Sequence, residues 1–119
     1  SLYPYHLKNL GDCTIEDFCE MIKELVNLIG EDNIGIGSDL CLNWPDDVVM
    51  WMRYGKWTKN IDYGESKDKN PKWPKLPSWY KQPSDLNNLF SLMCENNIPE
   101  KVSTKIIGQN WFNFMKNQF

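Results

Sequence analysis

Residues 14–39 read TIEDFCEMIKELVNLIGEDNIGIGSD, and this stretch decides the fold. Thr14 is a good helix N-cap, and Asp17 stands at the third helical position, where a carboxylate complements the orphan amides. Ile15, Phe18, Cys19, Ile22, Leu25, Val26 and Ile29 then recur at three- and four-residue spacing. That period predicts an amphipathic helix over residues 15–29. Gly30 ends it as a residue free to take positive φ. Glu31 and Asp32 turn the chain into Asn33-Ile34-Gly35-Ile36-Gly37-Ser38-Asp39, which is short, β-branched at alternate positions and predicted to be a strand over 33–39. A helix, a tight turn and a strand ending in an acid form an αβ unit, and in such units functional groups gather at strand carboxyl ends.

Working outward from that unit, Leu2-Tyr3-Pro4-Tyr5 is an apolar stub whose Pro4 has no amide to donate, so it reads as the tail of an element that begins upstream. Pro45 opens a second helix, with Asp46 and Asp47 at its positive end, that is expected to stop near Tyr54 and Gly55. From Gly55 to Pro83 the chain is dense in Lys, Asn, Gly and Pro, yet carries Trp57, Tyr63, Trp73, Trp79 and Tyr80. An aromatic loop of that length is expected to pack on something. Ser84 is expected to cap a third helix bearing Leu86, Leu89, Phe90 and Met93, stopped by Asn96-Asn97 before Pro99. Val102 and Ile106 mark a fourth helix expected to break at Gly108, and Trp111, Phe112 and Met115 belong to a last short helix. One strand cannot satisfy its own backbone, so the class is α/β, helix-rich in isolation, with most of its sheet missing.

Composition excludes several functions. The chain has 119 residues, a hydrophobic fraction of 41%, six tryptophans and a formal net charge of −3. Disorder goes with few aromatics, and nucleic-acid binding needs positive charge to attract phosphate. No apolar run approaches the roughly 20 residues that span a bilayer, and no signal-peptide pattern opens the sequence, so a soluble, cytoplasmic protein without nucleic-acid partners is expected. Cys13, Cys19, Cys41 and Cys94 are scattered without a C-x-x-C pair. Reduced, mostly buried thiols are the simpler reading, and His6, the one histidine, cannot make a zinc site alone.

Read in order, Leu2-Tyr3-Pro4, Thr14-Ile15-Glu16-Asp17-Phe18, Ile34-Gly35-Ile36-Gly37-Ser38-Asp39 and Gly108-Gln109-Asn110-Trp111 resemble the C-terminal third of the membrane (renal) dipeptidase family of zinc metallopeptidases. Trp44-Pro45-Asp46 and Trp51-Met52-Arg53-Tyr54-Gly55-Lys56-Trp57-Thr58 resemble a bacterial branch of that family. The resemblance implies the C-terminal fragment of a (β/α)8 TIM-type barrel: the end of strand 7, helix 7 over 15–29, strand 8 over 33–39, and C-terminal helices outside. It implies dipeptide hydrolysis at two zinc ions in a full-length parent whose metal ligands, histidines and carboxylates, lie on an N-terminal barrel segment that this sequence lacks. The chain alone is therefore expected to hold no metal and to be inactive. Asp39 matches the family's acid at the end of the last strand, so it is the one catalytic candidate, a carboxylate that moves a proton during amide cleavage.

Each feature also has a plainer reading. Asp39 could cap the following turn, and Gly35 and Gly37 lack the third glycine of a dinucleotide fingerprint, so they are expected to admit close neighbours. The aromatics from Trp44 to Tyr80 could shape a pocket or pack on outer helices or a second subunit, and Arg53 suits a surface ion pair as well as a substrate carboxylate. Two other functions fit the residues: a small aromatic-rich binding module for sugars or peptides, and a self-associating structural domain that pairs through its exposed strand as a homo-oligomer.

Overall fold

The computed structural model describes residue 2 and residues 4–43, 45–49 and 72–118. The chain divides into two compact units, Ser1–Leu40 with Lys75–Phe119, and Cys41–Pro74. The first is built on α1, Ile15–Ile29, whose limits are those the sequence predicts. Thr14 is extended at φ −78° and ψ 165°, and its side chain accepts a hydrogen bond from the Asp17 amide at 3.1 Å. Gly30 closes the helix with φ 83° while its amide still donates to the Val26 carbonyl. The Asp17 carboxylate pairs with Lys8 at 3.1 Å and accepts from Asn9, which ties the preceding turn to the first helical turn.

The buried stripe of α1, Phe18, Cys19 and Ile22, meets Leu2, Ile34, Tyr80, Leu89, Met93 and Ile106 in one apolar core. Burying each such large side chain contributes roughly 1.5–3 kcal/mol. The end of the aromatic loop joins this core. Trp79 stacks at a tilt on Phe18 with ring centroids 4.9 Å apart and donates its indole N–H to the Cys13 carbonyl at 2.8 Å. Pro77 and Tyr80 are buried. The loop's Trp57 and Tyr63, with Trp44 and Arg53, lie outside the described residues.

Residues 34–40 run in the predicted place, with Ile34 at φ −117° and ψ 133°, but no strand is assigned among the described residues. Asn33, expected to open the strand, instead ends a short 3-10 turn, Glu31–Asn33. The physical reason is a sparse ladder: the Gly37 carbonyl accepts from the Leu2 amide at 2.7 Å, and among the described residues this is the one backbone bond from the opening stub to the segment. Side chains still alternate as in a strand. Ile34 is buried and Ile36 and Leu40 pack on the core, which places Gly35 and Gly37 on the opposite face.

The third predicted helix begins later than its sequence suggests. A 3-10 turn, Pro83–Asp85, precedes α2, Leu86–Glu95. Ser84 does not cap it: a capping box opens the 3-10 turn, with Gln82 as its N-cap residue and the Asp85 carboxylate reaching back to accept the amides of Gln82 at 3.1 Å and Lys81 at 2.7 Å. Asn96 and Asn97 end α2 as expected, with Asn97 at φ 63° and the Asn96 side chain donating to the Leu92 carbonyl at 2.9 Å.

Gly108 does not break the chain. Helix α3, Glu100–Thr104, passes through a π-helical stretch, Lys105–Gln109, directly into α4, Asn110–Gln118. In the π register the Asn110 amide donates to the Lys105 carbonyl, five residues back, instead of to Ile106. The freed Ile106 carbonyl accepts the Ile36 amide at 3.3 Å. The helical run keeps its bonding while giving up one acceptor to a distant segment, which is the kind of place where π turns occur. Lys105 reinforces the junction by pairing with Glu31 at 2.5 Å and Asp32 at 2.7 Å.

In the second unit residues 46–49 are helical, and Pro45 begins the turn by accepting the Val48 amide at 3.1 Å. The Trp73 indole also donates to the Pro45 carbonyl, at 3.2 Å. The rest of the expected helix lies outside the described residues.

Two glycines should respond oppositely to alanine. A Cβ on Gly11 would lie 2.1 Å from the Lys75 carbonyl oxygen, whereas one on Gly108 would meet nothing within 4 Å. Gly11→Ala should cost about 1–3 kcal/mol by overpacking. Gly108→Ala should be neutral or stabilising by up to about 1 kcal/mol, because glycine is a poor helix former. Urea midpoints of the two variants give the comparison, and equal midpoints would contradict it.

The amides of Lys81 and Gln82 hold the Asp85 carboxyl below its ordinary pKa. A depressed folded-state value means that its stabilisation is present above the unfolded value, about 3.9, and is lost as pH falls through the folded one. The native chain should therefore melt above Asp85→Ala at pH 7, and the gap should close at the acid end of a pH series. A gap unchanged in acid would show that the cap does not act through its charge.

Candidate functional site

The residue at the head of the extended segment is Asp39. It is exposed and sits at φ 48°, a left-handed conformation that Asp and Asn tolerate better than other non-glycine residues. The backbone thus turns sharply at the acid. Ser38, immediately before it, is half-buried, and its side chain neighbours the Tyr80 hydroxyl. Tyr80 is only 1% exposed, and its hydroxyl has no hydrogen-bond partner among the described residues. Burial raises its pKa, opposed by the Ser38 hydroxyl. A buried hydroxyl without a partner costs free energy, and Ser38 is the polar neighbour within its surroundings.

At the foot of the same segment the C-terminal helical run closes in. Asn110 donates from its side-chain nitrogen to the carbonyls of Glu31 and Ile34, both at 2.7 Å. Trp111 donates its indole N–H to the Ile36 carbonyl at 2.9 Å. The indole also fills the space over Gly35, where a Cβ would lie 2.6 Å from Nε1. Gly35 therefore admits a close neighbour, as expected. Gly37 has nothing within 4 Å of its notional Cβ, so its face of the segment is open among the described residues.

His6 is exposed at the end of a 3-10 turn, Pro4–His6. All four cysteines are free: Cys13 and Cys19 are buried, Cys94 half-buried and Cys41 exposed. Burial pushes the Cys19 thiol up to about 11, which makes it an unreactive core group rather than a nucleophile or ligand. Among the described residues no group of three or more His, Cys, Asp or Glu side chains could hold a metal ion. These residues do not by themselves fit a zinc ion.

Asn110, Trp111 and Tyr80 are the residues whose roles sequence reasoning missed. The first two stand inside a motif that was legible, Gly108-Gln109-Asn110-Trp111, but nothing local shows that their side chains reach back some 75 positions. Among the described residues no helix is long and apolar enough to cross a membrane. No family model, no curated protein and no solved structure matches this chain.

Tyr80 can be probed directly. Replacing a buried, unpaired hydroxyl with hydrogen removes a desolvation cost, so Tyr80→Phe should be neutral or stabilising by up to about 1 kcal/mol. Tyr80→Ala should cost about 3–5 kcal/mol through the cavity it leaves. Chemical denaturation measures both. A clear loss of stability in Tyr80→Phe would mean that the hydroxyl is bonded, with Ser38 as the acceptor at hand.

Proposed function

We propose that this chain is the C-terminal part of a zinc-dependent dipeptidase built on a (β/α)8 barrel, with Asp39 as the acid that moves a proton in amide hydrolysis. The observation that carries the reading is the arrangement of its opening stub and its extended segment. The Leu2 amide donates to the Gly37 carbonyl, and α1, which connects the two, packs its buried face on the same core as Leu2 and Ile34. A strand–helix–strand unit would bring its two extended segments and its helix onto one core in this order, and that supports the reading.

The role given to Asp39 follows from its place. It ends the extended segment, it is exposed, and the open face at Gly37 lies on its side of the chain. Its carboxylate accepts the proton of the attacking water and passes it to the leaving nitrogen. The two zinc ions, their histidine and carboxylate ligands and the contacts to the dipeptide belong to the upstream barrel segment, so the chain by itself is inactive.

A self-associating structural domain is the second reading. Helix α4 buries none of its residues, and Trp111, Phe112, Phe114 and Met115 are each about half exposed. Such a surface asks for cover, and either a barrel or a second copy would give it.

The test has two arms. The coding sequence upstream of Ser1 should continue in frame into a His-x-Asp segment and further histidines. In that longer protein, Asp39→Asn should lower dipeptide turnover by about 10²–10⁴-fold with little change in bound zinc. For the isolated chain, elemental analysis after zinc addition should find no stoichiometric metal, and a dipeptide mixture should stay intact. An upstream frame without those histidines, or turnover by the isolated chain, would overturn the reading.

A further inference from the structure

We propose that Ile106, Asn110 and Trp111 form an edge latch, standing in for a neighbouring strand along one edge of residues 34–36 and keeping a second copy of this chain from pairing there. In an extended chain the amide and carbonyl of one residue point to the same edge, and those of the next residue point to the other. Ile36 gives its amide to the Ile106 carbonyl at 3.3 Å, and its own carbonyl accepts from Trp111 at 2.9 Å. The Ile34 carbonyl accepts from Asn110 at 2.7 Å. All three bonds lie on the even-numbered edge. The Gly37 carbonyl, on the odd-numbered edge, turns instead to Leu2.

The latch is made of unlike parts. One acceptor comes from the backbone because the π register leaves the Ile106 carbonyl free, and two donors come from side chains. None of the three is a strand, so none offers a further edge to a third partner. What the latch covers is self-complementary: Ile34-Gly35-Ile36-Gly37-Ser38 carries no charge and no proline. Natural edges are commonly guarded by Lys, Pro or inward-pointing charge, and this segment has none of these. Two uncharged copies would meet without repulsion, and each would satisfy the other's open amides and carbonyls. A second copy is therefore the occupant that the open edge fits. The latch rests on these three hydrogen bonds and does not draw on the role given to Asp39.

The double variant Asn110→Ala/Trp111→Phe removes both side-chain donors while keeping an aromatic ring over Gly35. Analytical ultracentrifugation should show a species twice the mass of the wild-type one at the same concentration. Amide exchange should show Ser38, on the same edge, slowed in that species, with Gly35 and Gly37 unchanged; Ile36 keeps its Ile106 acceptor in both chains and serves as the control. A mass equal to wild type, or a heavier species in which Ser38 exchanges as in wild type, overturns the proposal; the second result would assign association to the exposed face of α4. If circular dichroism shows the double variant unfolded, Trp111→Phe alone decides. It should move mass and Ser38 exchange in the same directions, and a folded single variant with neither change overturns the latch equally.

Discussion

The rest of this chain is arranged around the unpaired backbone of residues 34–38. A buried amide or carbonyl without a partner costs about as much as a lost hydrogen bond, so an extended segment at the edge of an apolar core must find partners or stay wet. Leu2 of the opening stub serves one edge, and the C-terminal helical run serves the other. The π turn at Lys105–Gln109 directs the Asn110 amide to the Lys105 carbonyl and leaves the Ile106 carbonyl to Ile36.

The same constraint frames the functional proposal. In a closed barrel each strand is paired on both edges. Under the barrel reading the Leu2 side belongs to strand 7, so strand 1 would take the edge that Asn110 and Trp111 now hold. The latch and the first strand thus compete for the same backbone groups. Asp39 stands apart from this competition, because the chain turns at its positive φ just beyond the latched stretch. The Tyr80 hydroxyl, buried beside Ser38, adds a polar group near that turn.

Local chemistry was legible and long-range chemistry was not. Helix α1 was readable to the residue because its signals are all near neighbours: a Thr14 cap, a three- and four-residue apolar period, and Gly30 as the stop. Asn96-Asn97 was readable for the same reason. Ser84 was misread as a cap because serine is a favoured N-cap type, whereas the turn before α2 is opened by a capping box from Gln82, a residue type that carries no such local signal, to Asp85. Gly108 was misread as a break because glycine lowers helix propensity by only about 1 kcal/mol, a cost that the bonds of the surrounding run overcome. Asp39 was put forward through a resemblance to a family and a strand-end position; its left-handed turn was in neither.

The sequence by itself determined helix α1 with its Thr14 cap and Gly30 stop, the end of α2 at Asn96-Asn97, the negative net charge and the place of the acid at the end of an isoleucine–glycine segment. Each of these depends on residues within a turn or two, or on composition. The tertiary structure alone decided that Asn110 and Trp111 hold the carbonyls of Ile34 and Ile36, that the helix tightens into no break but widens into a π turn, and that the segment stays extended without becoming a ladder. Those outcomes turn on which unpaired backbone groups lie within hydrogen-bond reach of each other across some 75 residues, and no periodicity along the chain encodes that distance.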